Sequence, residues 1–219
     1  MIEFKPVTYE QVKPFLLYKH YAHRMPSVSF SFGLFLDGTL HGVLTFGEPA
    51  SRSLVVGIAG EDNAKHVIEL NRLYIDDSVS LEYQNVASRF VSYGLKQLKP
   101  YNKIVVSYAD SGMNHTGYIY QATNFMYTGK TKQRTDKFAG VGKHSRHYDK
   151  DSVQKYRVIR SSKYRYVYFA CNKRYKRKFM KDLKYPVINK YPKEPDKRYH
   201  VGDTKPFKVI NQETKQEEV

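Results

Sequence analysis

A chain of 219 residues, 41% of them hydrophobic, is long enough for one domain with its own core plus an extension. Its single cysteine, Cys171, excludes an intrachain disulfide and any multi-cysteine metal site, and no apolar run approaches the ~18 residues of a membrane span. The net charge of +16 is uneven: residues 1–129 are balanced and the whole excess lies in 130–219, so a neutral body is joined to a basic part suited to a polyanion, most commonly nucleic acid.

Phe4 to Val7 reads as a short first strand. Thr8-Tyr-Glu-Gln11 has the form of a capping box, and Val12, Phe15 and Leu16 follow at helical spacing, which predicts a helix over 9–19. It ends at His20-Tyr21-Ala22-His23-Arg24, before Pro26. Residues 28–47 alternate on both sides of Asp37-Gly38, a hairpin signal. The segment 48–66 is rich in small residues around one apolar stretch, Leu54-Val55-Val56. Residues 67–75 (VIELNRLYI) predict a central strand with Arg72 inside it, and 76–82 a loop. Residues 85–98 carry one apolar face and stop before Pro100, as an amphipathic helix does. Residues 104–129 then read as strand, polar turn, short helix (115–122) and strand from Phe125. Residues 130–162 are basic and poorly periodic, 163–172 alternate as a last strand, and 173–178 are a basic run before a proline-rich tail.

This order predicts an α/β (α+β) fold with a mixed, splayed central sheet flanked by helices, the order of the GNAT acetyltransferases. A catalytic domain is expected over 1–172, with 130–162 a basic insertion before the last strand. Residues 173–219 form a basic Tyr/Pro-rich extension that packs on or wraps the domain. The N-terminus lacks a signal-peptide apolar region, so a cytoplasmic protein with no membrane association is expected. The oligomeric state stays open, a dimer included.

Some chemistries are excluded by absent motifs. There is no P-loop, no GxSxG elbow, no HxE…CxxC deaminase pattern and no Asp/Asn-Pro-Pro-Tyr segment of the amino-methyltransferases. Asp110 follows a central strand, where ligands of α/β units sit, and its carboxylate can accept a proton. An aspartate that merely caps the turn is the plain alternative. Tyr120 carries a phenol that can donate a proton or hold an oxyanion, unless it is simply core. A buried Arg72 needs a partner, and Asp110 is the candidate. His20 and His23, with Tyr21 between them, are nitrogen and oxygen donors suited to iron, and at a helical i, i+3 spacing both histidines can face one ion; surface histidines are the alternative. Tyrosines interleave with the basic residues of the C-terminal part (Tyr148, Tyr156, Tyr164, Tyr166, Tyr168, Tyr175, Tyr185, Tyr191, Tyr199), a pattern in which bases stack on rings while cations meet phosphates. A solvated basic face is the alternative there.

Glu69-Leu-Asn-Arg-Leu-Tyr-Ile75, Asn85–Ser88, Ser107-Tyr-Ala-Asp-Ser111 and the block from His115 to Gly129 (HTGYIYQATNFMYTG) resemble the phage Mom family over roughly residues 18–130. The resemblance implies a divergent GNAT domain that installs a methylcarbamoyl group on adenine N6 of double-stranded DNA and so protects it from restriction. It implies iron as a cofactor. It matches Arg72, Asp110 and Tyr120 to the family's catalytic arginine, aspartate and tyrosine, and His20 and Tyr21 to its His-Tyr pair, with His23 a weaker ligand. Substrate or DNA contacts are expected from Asn85, Ser88, Ser111 and His115, and from Lys143, Arg146, Lys173, Arg174, Lys176, Arg177 and Lys178 in the basic part. One departure is informative. GNAT enzymes hold the pyrophosphate of acetyl-CoA on a glycine-rich loop, whereas residues 76–83 here (DDSVSLEY) have no glycine and three carboxylates. That argues against conventional acetyl-CoA binding and leaves the carbon donor open. Two other readings stand: a non-catalytic nucleic-acid-binding protein on a GNAT scaffold, and an acyltransferase acting on another substrate.

Overall fold

Three local signals set the first half of the chain, seen in a computed structural model that describes residues 1–139, 155–193 and 208–218. The capping box at Thr8 forms as expected, with Thr8 and Gln11 exchanging bonds, and opens helix α1 (Tyr9–Pro14), which runs on as a wider π turn over Phe15–Lys19. Asp37 and Gly38 both take positive φ (48° and 82°), as a tight hairpin turn between β2 (Phe30–Leu36) and β3 (Thr39–Gly47) requires. Helix α4 (Val86–Leu98) turns Val86, Phe90, Val91, Leu95 and Leu98 inward.

The main sheet has seven strands in the order β1-β2-β3-β4-β5-β9-β6, with β1 (Ile2–Pro6), β4 (Val67–Ile75), β5 (Lys103–Asp110), β9 (Lys163–Ala170) and β6 (Met126–Lys130). All its neighbours are antiparallel except β4 and β5. That parallel pair is short: Val67, Ile68 and Glu69 lie beside Ile104, Val105 and Val106, and pairing stops there. At the fork Ser107 donates its hydroxyl to the Leu70 carbonyl (2.8 Å), supplying the bond the ladder no longer makes. Beyond it Leu70–Ile75 and Ser107–Asp110 diverge. The mixed, splayed sheet with helices on both faces is therefore the expected architecture.

One face of the sheet is covered by α4, over Leu34, Leu44, Phe46, Ile68, Leu70 and Val105. Gly94 sits so close to Leu44 and Phe46 that a side chain there would collide with both. On the other face α1 lays Val12, Phe15 and Leu16 over Val43 and Tyr74. Further along that face Ile58, Ala59 and Phe179 cover Val67, Ile104, Val106, Val167 and Phe169. Phe179 is fully buried, and a side chain of that size contributes about 1.5–3 kcal/mol by leaving water.

Several elements differ from the sequence expectation. Residues 52–59 form a helix, α2 (Arg52–Ala59), capped by Ser51. The expected loop at 76–82 contains a short helix, α3 (Asp77–Glu82). The helix expected over 115–122 is only α5 (Tyr118–Ala122), because Gly117 takes φ 92° beneath the Tyr166 ring. The segment 130–162 is not without periodic structure: it holds β7 (Arg134–Lys137) and β8 (Tyr156–Arg160). With β10 (Val209–Asn211) and β11 (Glu217–Glu218) these form a second sheet, ordered β11-β10-β8-β7, so β9 is not the last strand. The basic run at 173–178 opens a helix, α6 (Lys173–Asp182), which Asn172 caps by accepting from the Tyr175 N–H at 3.0 Å. After α6 the chain stays on the body: Lys184 N–H donates to Ile58, Ile188 N–H to Tyr127, and the Tyr191 hydroxyl to Phe125.

Candidate functional site

The fork in the sheet makes two walls. On the β4 wall Arg72 lies opposite Thr45, two residues before Tyr74, so it shares the face that carries α1. The π turn delivers the chain from α1 onto this wall. His20 leaves helical geometry (ψ 134°) and is 5% exposed, and its ring stacks on Tyr21 with centroids 4.3 Å apart. The Tyr21 ring in turn meets His115 edge-on at 6.0 Å. His115 and Tyr120 come from the loop and short helix after β5.

Electrostatics tie these groups together. Burial, then the Arg72 charge, holds the His20 imidazole far below its ordinary value, at about 3, so it is neutral at physiological pH. The Ala22 N–H donates to its Nδ1 (3.0 Å), which leaves the proton on Nε2. Burial also lowers Arg72, while the Tyr21 phenol, Glu69 and the Tyr120 phenol favour its charge. Arg72 donates through Nη1 to the Asn71 carbonyl (2.6 Å), yet its Nε is shielded from solvent with no hydrogen-bond partner. A buried donor left so is costly and is characteristic of a group awaiting a ligand. Glu69, three residues earlier on β4, is pushed up by burial against the pull of Lys163, Arg72 and Arg24.

Asp110 ends the β5 wall, 3% exposed. Its Oδ1 accepts from the Gly112 N–H (2.9 Å) and from the Ser161 hydroxyl, and its Oδ2 faces the Lys163 ammonium at 3.6 Å. Its ion-pair partner among the described residues is thus Lys163, and the expected Arg72–Asp110 pair is not formed. The reason is the fork: the two residues stand on walls that diverge from Leu70 and Ser107 onward. Asp110 also does what a turn aspartate does, capping the tight turn Ser111–Met113.

His20, Tyr21, His115, Arg72 and Tyr120 are therefore brought together. Tyr120 doubles as packing, its ring 5.4 Å from Phe125 and 5.3 Å from Tyr166. His23 is exposed, takes φ 43° and points Nδ1 at the Leu17 carbonyl (3.0 Å), outside helical spacing because the helix has ended, while its charge still acts on His20. Among the described residues no three His, Cys, Asp or Glu side chains form a group able to hold a metal ion. Ser111 is bound to Ser162 through its hydroxyl. Asn85 is exposed in left-handed conformation before α4, and Ser88 donates to its carbonyl. Lys143 and Arg146 lie outside the described residues. Lys173, Arg174, Lys176, Arg177 and Lys178 are exposed on α6, at the other end of the sheet. Of the tyrosines in the basic part, Tyr164 and Tyr166 are core. Glu69, Ser161 and Lys163 were not singled out by sequence; a carboxylate inside the apolar run VIELNRLYI was the one available signal.

The loop that argued against a pyrophosphate also looks different in three dimensions. Asp76 is engaged by Lys19 (2.8 Å), the Tyr74 hydroxyl (3.0 Å) and His41 (3.1 Å), which ties the π turn to the end of β4 and offsets part of the loop's negative charge.

A mixed sheet that forks between two parallel strands, with a half-buried cation on one wall and a buried carboxylate on the other, defines an α/β protein whose polar site opens at the fork. The chain belongs to the Mom protein family, whose model matches residues 1–193. It is similar to the methylcarbamoylase mom of Escherichia phage Mu, at 32% identity over 115 residues; the match covers 51% of this chain and 46% of that protein, under half its length. It is also similar to an N-acetyltransferase from Staphylococcus aureus Mu50 (15% identity, TM-score 0.49, 78% of this chain and 99% of that one). The ribosomal-protein-S18-alanine N-acetyltransferase of Escherichia coli is a further likeness (8% identity, TM-score 0.47, 78% and 96%). Among the described residues no helix is long and apolar enough to cross a membrane.

Proposed function

We propose that the chain is a phage-type DNA-modifying enzyme that transfers a methylcarbamoyl-type group to adenine N6 and so protects DNA from restriction endonucleases in the cytoplasm of a bacterial host. The observation that carries this reading is membership of the Mom family joined to the position of the matched residues: Arg72, Tyr120, His20 and Tyr21 meet at one place, at the mouth of the fork.

The adenine amino group is a weak nucleophile, since its lone pair is shared with the ring. The transfer forms a bond from N6 to the carbonyl carbon of the donor, breaks the bond to the donor's leaving group and releases one N6 proton. Asp110 accepts that proton or holds the amino group, and the Lys163 ammonium faces its Oδ2 at 3.6 Å. The unpartnered Nε of Arg72 binds the developing oxyanion or an anionic part of the donor. Tyr120 returns a proton to the leaving group. Adenine must leave the duplex to reach these groups, at a cost of a few kcal/mol that phosphate contacts help offset.

Iron enters through the family resemblance. His20, kept neutral by burial, and Tyr21 would hold it once the Ala22 N–H gives up the His20 Nδ1 lone pair, and His115 is the imidazole beside them. An ion held there would supply Lewis-acid polarisation. The donor molecule stays open, and the carboxylates of residues 76–83 still argue against conventional acetyl-CoA.

The test is expression in bacteria, then mass analysis of nucleosides from digested DNA. A heavier deoxyadenosine that disappears with Arg72→Met supports the proposal, and unmodified DNA from cells making folded protein overturns it. A second reading, a DNA-binding protein without chemistry, draws on the engagement of both Asp110 oxygens in structural contacts. It expects tight, salt-sensitive binding and no change in nucleoside mass.

A further inference from the structure

The two basic surfaces of this chain lie at opposite ends of the main sheet. Register fixes this: Asp110 pairs with Lys163 at one end of β5–β9, and Lys103 with Ala170 at the other. At about 3.3 Å per residue those ends are ~23 Å apart. Helix α6 begins three residues after Ala170, tied to the far end by the Asn172 N–H bond to Asn102. Its cations are therefore remote from the fork's mouth.

The small sheet begins at the mouth itself. Strand β6 passes into β7, and β8 into β9, at one place: the Thr131 N–H donates to the Lys163 carbonyl and the Lys163 N–H to the Thr131 hydroxyl, both at 2.8 Å. The two-residue link between β8 and β9 is clamped to the site turn. Ser161 donates to Asp110, and Ser162 accepts from the Ser111 N–H (3.2 Å) and hydroxyl (2.7 Å). The β6–β9 ribbon of the main sheet thus continues past the end of β5 as the antiparallel β7–β8 ribbon, about four residues or ~13 Å further. Residues 132–137 and 155–160 contain Lys132, Arg134, Lys137, Lys155, Arg157 and Arg160 against one carboxylate, Asp136. Asp136 binds Arg160 (2.7 Å) and lies 3.9 Å from Arg134. Lys132, Arg134 and Lys137 are exposed on the outer strand.

We infer that the β7–β8 ribbon is the arm that holds double-stranded DNA against the site, its outer-strand cations on the phosphates, and that α6 is not the surface that serves this site. β7 is the edge strand of the small four-stranded sheet, so its cations stand on an open edge, where they displace counterions from the DNA backbone. Because the arm is bonded through Ser161 and Ser162 to the turn that bears Asp110, a duplex held on it is in fixed register with the carboxylate. The inference rests on the DNA reading proposed above.

The experiment compares the full chain with two triple variants, Lys132→Gln/Arg134→Gln/Lys137→Gln and Lys173→Gln/Arg174→Gln/Arg177→Gln. Binding to one duplex oligonucleotide is followed from 50 to 200 mM salt, with circular dichroism melting as the check on folding and Lys132→Arg/Arg134→Lys/Lys137→Arg as the charge-keeping control. Each lost phosphate contact lowers the slope of log K against log salt by about 0.9. The ribbon variant is expected to lose about two to three in slope and to lose DNA modification in cells, the charge-keeping control to behave as wild type, and the α6 variant to keep modification. A folded ribbon variant with the wild-type slope, or loss of slope and modification only in the α6 variant, overturns the inference. Wild-type protein that binds duplex but leaves no modified nucleoside overturns the proposed chemistry alone.

Discussion

The hydroxyl of Tyr166, a fully buried residue of β9, donates to the carbonyl of Thr116, in the loop between Asp110 and Tyr120. Gly117 comes next, at φ 92°, with no room for a Cβ against the Tyr166 ring. The loop that carries His115 toward Tyr21 is thus held from beneath by one phenol, which also accepts from Gln121 at 3.2 Å.

Tyr166→Phe keeps the ring and removes the donor from a buried carbonyl. We expect a loss of about 1–3 kcal/mol in urea unfolding, with DNA modification falling further than stability does because His115 and Tyr120 lose their fixed position. Wild-type stability together with wild-type modification would show that the loop does not depend on this bond.

Asp110→Asn separates the two roles of Asp110. The amide oxygen still accepts from Gly112 and Ser161, so the turn is kept, but the charge facing Lys163 and the capacity to take a proton are gone. Folding is expected to stay within ~1 kcal/mol of wild type while modification drops about 100-fold or more. Full modification by Asp110→Asn would reduce Asp110 to a cap.

Arg72→Met tests whether the half-buried guanidinium serves function and not stability. Its Nε has no partner, and a well-packed apolar residue in place of a buried charge is often neutral or stabilising. The variant is expected to unfold at the same urea concentration as wild type or a higher one, and to make no modified nucleoside. A marked fall in stability would identify Arg72 as a structural ion.

Glu69 gives a pH dependence. Burial raises its carboxyl above 4.5, so between the unfolded and folded values the folded chain holds a proton that the unfolded chain has released. Stability is complete below the unfolded value and is lost as pH rises through the folded one. Glu69→Gln should therefore melt with wild type near pH 4 and above it at pH 8. A variant less stable than wild type at pH 8 would mean that the pull of Lys163, Arg72 and Arg24 outweighs desolvation.

Where one local pattern decides an element, the sequence is legible. Asp37-Gly38 marks the hairpin, the apolar row of 85–98 marks α4, and the apolar run before Asp110 marks β5. Helix α2 was missed because its apolar residues run consecutively as Leu54-Val55-Val56 before Gly57, which shows no helical face, and a single serine caps it. The second sheet was hidden because β8 is half-buried throughout and β7 is mostly exposed, neither alternating, and β8 pairs with residues some fifty positions on. At the site, Asp110 and Arg72 could be read from their strands, whereas the Asp110 contacts to Ser161 and Lys163 join segments 51 and 53 positions apart, a separation that no local pattern records. His23 leaves helical spacing for a local reason: the helix ends at Lys19 and His20 is already extended.

The bond from Ser107 to the Leu70 carbonyl has a consequence for how a ligand is received. Because the side chain satisfies the first carbonyl beyond the parallel ladder, the strands neither zip shut nor peel further apart. The cleft is consequently a feature of the resting backbone, and its aperture is set when the chain folds. A substrate meets an opening already made, and the ordering of its two sides is no part of what binding must supply.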